Sequence, residues 1–305
     1  MKAIQIKEYG DEGVLNFSEV PTPKPAANEI LVKIKAAAIN PVDIKIRNGK
    51  GKTFGLHLPL IPGADFAGTV AETGADITKF KKGDEVYGKI LIGCYAEYVT
   101  VKEGELSLKP KNTSFEEAAS LPMGTLTAWQ AIFEGGNLTE GQTILVHGAS
   151  GGVGSMAVQL AKAKGARVIA SASGANRDFV VGLGADDFIN YKTEDFTAKV
   201  KEVDVVFDPV GGETHKKSYR VLKKGGALVS LVEKPDEALK QQYGVKSEYI
   251  SSRANADQLE KITKLVEAGK IKTRIHQVFP LKEVVEATQV SEEGHVQGKI
   301  ILKPS

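Results

Sequence analysis

Segment 143–165, TILVHGASGGVGSMAVQLAKAKG, constrains the fold of this chain more than any other stretch. An apolar run over 143–147 has the composition of a buried strand and leads into a turn containing Gly148, Gly151, Gly152 and Gly154. Over 153–164 the apolar residues Val153, Met156, Ala157 and Leu160 recur at helical spacing. A glycine triplet alone is weak evidence. Placed between a strand and an amphipathic helix, it is the phosphate-binding turn of a dinucleotide fold. The glycines let the backbone approach a pyrophosphate, and the helix N-terminus offers it free N–H groups and a positive dipole. Gly148, Ser150, Gly151, Gly152, Val153 and Gly154 are therefore candidate cofactor-binding residues.

The flanking sequence extends this pattern. Strand-like runs at 167–170, 187–190, 203–207 and 226–232 alternate with helical runs at 179–183 and 196–201, which implies a parallel sheet covered on both faces. The first third instead carries short β-branched or alternating runs at 2–6, 14–20, 29–38, 66–72, 85–90 and 95–101, punctuated by proline and glycine. After a helix at 258–268 the tail returns to short elements and ends in GKIIL at 298–302. The expected fold class is α/β. A β-rich domain over 1–115 and 266–305 is interrupted by a doubly wound parallel-sheet domain over 116–265.

Charge and cysteine content exclude several classes. Forty basic residues oppose 38 acidic ones, and a net charge of +2 gives no strong global attraction for nucleic acid or an anionic membrane. The single cysteine, Cys94, can form neither an internal disulfide nor a cysteine-rich zinc site, so a reducing cytoplasm is expected. The N-terminal MKAIQIKEYG has no apolar signal-peptide core, and no apolar run approaches the roughly 20 residues of a membrane span. The histidines, at 57, 147, 215, 276 and 295, show no metal-ligand spacing.

The strand after the glycine turn bears on the choice of dinucleotide. In NAD-binding folds it ends in an acidic residue that holds the ribose hydroxyls. Here 169–174 reads IASASG, with no carboxylate to repel a 2′-phosphate. Ser171, Ser173 and Arg177 can instead donate hydrogen bonds and charge to one. NADPH is the expected cofactor.

The motifs NPVDIKIR (40–47), IPGADFAGTV (61–70), KKGDEVYG (81–88), EEAASLPMGTLTAW (116–129), HGASGGVG (147–154), DVVFDPVGG (204–212) and GKIIL together resemble a known family. It is the zinc-free medium-chain dehydrogenase/reductase family of quinone oxidoreductase type, and the chain is most like its enone oxidoreductase, or alkenal reductase, branch. The resemblance implies a GroES-like catalytic domain and a Rossmann-type NADP(H) domain. Where zinc-dependent members carry their catalytic ligands, this chain has Pro41-Val42, Gly63-Ala64-Asp65 and Pro122-Met123, and the four-cysteine structural lobe is missing.

The activity implied is hydride transfer from NADPH to a quinone or an α,β-unsaturated carbonyl. That chemistry moves charge onto an oxygen and needs a donor beside it. Lys45 is the candidate donor, as in the enone-reducing branch. Asn40 either orients the nicotinamide ribose or substrate, or caps the helix starting at Pro41. Asp43 either fixes Lys45 or another basic side chain, or supplies charge to the helix N-terminus. By resemblance Thr127 contacts the nicotinamide end, and Tyr191 stacks near or bonds the 2′-phosphate or else lies in the core. Ser230 and Leu231 sit at the end of a parallel strand, where ligands meet doubly wound sheets, and are candidates for the nicotinamide amide. Relatives also imply a homodimer, with 246–251 as the pairing edge. The alternative is an NADPH-binding sensor, structural or RNA-binding protein with little turnover.

Overall fold

In a computed structural model, which describes residues 1–294 and 296–304, the chain divides into two units. His295, one of the histidines considered above, lies outside the described residues. One unit comprises Met1–Met123, Ala254–Glu267 and the chain from Thr273 onward; the other comprises Gly124–Arg253 and Ala268–Lys272. These limits differ from 115/116 and 265/266 because of packing. Helix Ala256–Glu267 is tied to the first unit, where the Tyr87 hydroxyl donates to Leu259 O at 2.9 Å and Asn112 Nδ2 to Val266 O at 3.1 Å.

The first unit opens with strands β1 (Lys2–Gln5) and β2 (Asn16–Glu19), paired antiparallel. β3 (Glu29–Ala38) is the centre of its larger sheet. In β3 the exposed Lys33 and Lys35 alternate with buried Val32, Ile34 and Ala36, the two-residue period of a strand with one wet face. β4 (Asp65–Thr73) pairs antiparallel with β3, β5 (Glu85–Lys89) with β4, β6 (Tyr98–Lys102) with β3, and β7 (Leu106–Leu108) with β5. Helix α1 (Pro41–Arg47) starts three residues after β3. Proline suits its first position because that N–H would have no helical partner. Helix α2 (Phe115–Ala119) carries a reciprocal cap between Ser114 and Glu117 and packs on β3, β4 and β5.

Helix α3 (Pro122–Trp129) leads into the second unit. There β8 (Thr143–Val146), helix α4 (Gly154–Ala163), β9 (Arg167–Ala172), helix α5 (Arg177–Gly182), β10 (Asp187–Asn190), β11 (Val203–Asp208), β12 (Leu222–Ser230) and β13 (Lys246–Tyr249) follow in turn. The strands form one parallel sheet in the order β10-β9-β8-β11-β12-β13. This is the doubly wound order of a Rossmann fold, and the direction of winding reverses between β8 and β11. Leu145, Val206 and Leu228 are fully enclosed, each worth about 1.5–3 kcal/mol of burial. β12 begins at Leu222 rather than at 226, with a register shift against β11 between Val203 and Val205.

The chain then returns to the first unit. β14 (Ile275–Pro280) pairs parallel with β15 (Lys299–Lys303), which pairs antiparallel with β3. Ala38 of β3 is the partner of both Ile301 in β15 and Asp65 in β4, so this register brings Lys299 and Asp65 to the same end of β3. Ile30, Phe66, Val86, Leu106 and Leu302 fill the core below. Among the described residues, no helix is long and apolar enough to cross a membrane.

Candidate active site

In the second unit the glycine turn leaves β8 at the point where the sheet reverses direction. Gly148 has φ +57°, in the left-handed region that favours glycine. A Cβ on Gly154 would lie 2.2 Å from Gly148 O, so only glycine lets α4 start this close to the turn. Ala149 N–H donates to Ser171 O at 3.0 Å and anchors the turn to β9. A glycine-rich turn at the start of a ten-residue helix fits a dinucleotide pyrophosphate.

Beyond β9 the structure joins two of the expected residues through one that the sequence did not single out. Asn176 Nδ2 donates to Ser150 Oγ at 3.1 Å and to Ser173 Oγ at 3.0 Å. Arg177 is exposed, with its guanidinium over the Phe188 ring at 5.4 Å. Tyr191 is 59% exposed, not a core residue, and its N–H donates to Ala172 O at 3.2 Å, beside Ser173. Ser171 is only 3% exposed within β9, so it does not share the open position of Ser150 and Ser173.

At the ends of β11 and β12 the expected residues are more enclosed. Ser230 Oγ accepts the N–H groups of Val232 at 3.2 Å and Glu233 at 3.0 Å and so shapes its own turn. Leu231 N–H donates to Asp208 O at 3.1 Å, and Thr127 is buried in α3. Asp208, also not anticipated, holds the neighbouring turn. Its Oδ1 accepts from Val210 N at 2.9 Å and Gly211 N at 3.0 Å, and its Oδ2 lies 2.9 Å from His215 Nδ1. This turn abuts the glycine turn: a Cβ on Gly148 would meet Pro209 at 3.3 Å and Val210 at 3.4 Å.

In the first unit Asn40, Asp43 and Asp65 form a buried polar cluster with Tyr95 and Lys299. Asn40 Nδ2 donates to Ala38 O at 3.2 Å and Asp65 Oδ2 at 3.0 Å, and Asn40 Oδ1 accepts from Lys299 Nζ. Both amide donors of Asn40 are therefore used inside the unit, and Asn40 is also the N-cap of α1, its own N–H donating to Asp43 Oδ2. Asp65 Oδ1 accepts Met123 N at 3.0 Å, and Oδ2 lies 3.8 Å from Lys299 Nζ. Burial pushes the Asp65 carboxyl up and the Lys299 ammonium down, and each opposes the other's shift by its charge.

Asp43 Oδ2 accepts the Asn40 N–H and the Tyr95 hydroxyl, each at 2.9 Å. Its Oδ1, like Arg47 Nη1, has no hydrogen bond among the described residues, and both side chains line a cavity of about 10 Å³. Burial pushes Asp43 up to about 7, against the two hydrogen bonds and with help from the Asp65 charge. Lys45 is exposed and has no ion-pair partner among the described residues. The expected Asp43–Lys45 pair is absent because residues two apart on a helix point to different faces. Asp43 turns into the unit and Lys45 out of it. The histidines do not converge either: His147 and His215 are buried in the second unit, and His57 and His276 are exposed in the first.

Residues 26–111 match the family model of the alcohol dehydrogenase GroES-like domain, and 183–302 match that of a zinc-binding dehydrogenase. The residues present do not fit the zinc. Val42 has no donor atom, Met123 offers only a neutral thioether, and both Asp65 oxygens accept N–H groups beside the Lys299 ammonium. The chain is 38% identical over 319 residues to a 2-methylene-furan-3-one reductase of Solanum lycopersicum, covering 100% of this chain and 79% of that one. It is 36% identical over 318 residues to an NADPH-dependent alkenal/one oxidoreductase of Arabidopsis thaliana, covering 100% and 80%. The structure of a quinone oxidoreductase from Coxiella burnetii matches with a TM-score of 0.91 at 38% identity, covering 100% of this chain and 99% of that one. With two dehydrogenase family models matched and relatives at 36–38% identity covered over 79% or more of their length, the chain belongs to the medium-chain dehydrogenase/reductase superfamily.

Proposed function

We propose that this chain is an NADPH-dependent oxidoreductase that reduces quinones or α,β-unsaturated carbonyls without zinc. The observation that carries the proposal is the end of β9, where Asn176 joins Ser150 and Ser173, Arg177 follows, and the strand runs into Ala172-Ser173 rather than a carboxylate. The relatives named for alkenal/one and furanone reduction and for quinone reduction support the substrate class.

Bound NADPH supplies the hydride. The chain's own groups hold and orient it. The turn Gly148, Gly151, Gly152, Val153 and Gly154 takes the pyrophosphate, and Ser150, Ser173, Arg177 and Tyr191 take the 2′-phosphate. Thr127, Ser230 and Leu231 serve the nicotinamide end. Ser230 Oγ accepts two backbone N–H groups, which leaves its hydroxyl hydrogen to donate to the amide oxygen. In the first unit Lys45 donates to the substrate oxygen and stabilises the charge that develops there. Asn40 and Asp43 fix the start of α1, the helix that carries Lys45. Alcohol oxidation, which relies on a metal-bound alkoxide, does not suit this donor set.

The same proposal pairs β13 edges in a homodimer, since β13 is the last strand of its sheet and Tyr249 on it is exposed; solution mass tests this. It places the enzyme in the cytoplasm, consistent with a single, buried thiol at Cys94, and cell fractionation tests that. The test of function is NADPH oxidation followed against panels of quinones and enones. Acceptor-dependent oxidation is expected. Tight NADPH binding with no acceptor-dependent turnover would overturn the enzyme assignment in favour of a sensor or structural role.

A further inference from the structure

We infer that Asn176 sets the donor polarity of an anion pocket formed by the Ser150 and Ser173 hydroxyls, and so selects a ribose 2′-phosphate; this rests on the NADPH assignment above. A side-chain amide has two N–H donors. Asn176 uses both, one on Ser150 Oγ at 3.1 Å and one on Ser173 Oγ at 3.0 Å. Each hydroxyl thus accepts from Asn176 and keeps its own O–H to give. Neither O–H has an acceptor among the described residues, and both serines are half-buried rather than enclosed. Two O–H groups fixed by one amide are placed to donate together to a ligand that accepts from both.

The surrounding charges favour an anion. Arg177 follows directly and is exposed, stacked over Phe188. Of the carboxylates near it, Asp178 is its exposed sequence neighbour, and Glu194 is paired with Lys199 at 2.6 Å and accepts Asn190 N–H at 2.9 Å, so the Glu194 charge is offset. A phosphate monoester has the required form: a dianionic group with several acceptor oxygens on one atom. A plain ribose 2′-hydroxyl can accept from the pair but brings no charge. An aspartate at 176 would reverse the polarity, because its oxygens would draw both serine O–H groups inward and add a negative charge.

Calorimetric binding of adenosine 2′,5′-bisphosphate and of 5′-AMP tests this in wild type, Asn176→Ala, Asn176→Asp and Ser150→Ala/Ser173→Ala. Wild type prefers the bisphosphate. Asn176→Asp lowers that preference by about tenfold or more and Asn176→Ala by a few-fold, while 5′-AMP affinity is retained and reports an intact turn. In the double-serine background Asn176→Ala has no further effect, because the residue acts through the hydroxyls. An equal loss of both nucleotides overturns the inference, as does an undiminished Asn176→Ala effect without the serines. A wild type with no preference would instead refute the NADPH assignment. A preference that survives Asn176→Asp would leave that assignment standing and remove the role of Asn176.

Discussion

Replacing Asp43 by asparagine tests the buried cluster beneath α1 quantitatively. The Asp43 carboxyl is enclosed, holds two hydrogen bonds on Oδ2 and none on Oδ1, and is pushed from 3.8 to about 7. A carboxyl raised on folding binds its proton more tightly in the native state. Its stabilisation is fully present below the unfolded value and is lost as pH rises through the folded one. Between about pH 5 and about pH 8 this amounts to about 2.5 kcal/mol of unfolding free energy lost by the wild type. Asparagine mimics the protonated form: its oxygen can accept from Asn40 N–H and Tyr95 while its NH2 takes the place of the unbonded oxygen. It does not titrate, so that slope disappears. Urea unfolding of both proteins across this range is the assay, read as the difference between them at each pH. The variant should gain about 2–3 kcal/mol relative to wild type from the acid end to the alkaline end. The neighbouring Asp65, Lys89 and Lys299 are common to both proteins and largely cancel in the difference. Parallel pH–stability curves would refute the burial argument.

Other substitutions probe the remaining parts. Lys299→Met leaves Asp65 buried without its ammonium and should cost about 3–5 kcal/mol near pH 8 by the same assay, with part recovered by adding Asp65→Asn. Gly154→Ala places a Cβ 2.2 Å from Gly148 O, so the turn must shift, and the NADPH dissociation constant should rise about tenfold or more by fluorescence titration. Lys45→Ala removes an exposed side chain with no ion-pair partner among the described residues. It should leave stability and NADPH affinity unchanged while turnover on an enone falls about 10²-fold.

The parts of this molecule legible in sequence are those whose signal is local. The glycine turn, the strand before it and the helix after it lie in one continuous segment, and the missing carboxylate lies one strand further on. The alternation of strand and helix was enough to give the parallel sheet. What sequence did not show depends on register and side-chain direction. Lys299 reaches Asn40 and Asp65 only because β15 pairs with β3 at Ala38, across most of the chain. Asn176 reads as an ordinary residue ahead of a helix until Ser150 and Ser173 are brought to it. Asp208 lies inside a quoted motif, but its work of holding the 209–212 turn is visible only from its two backbone bonds. The Asp43–Lys45 pair failed on a rule that sequence does contain, the facing of helical positions three or four apart rather than two.

The most direct test of the central claim is the ratio of kcat/KM for NADPH to that for NADH with one enone acceptor. Serine and asparagine donors, the Arg177 charge and the absence of a carboxylate at the end of β9 predict a ratio of at least about tenfold in favour of NADPH. Equal efficiency with the two, or a preference for NADH, would contradict the account.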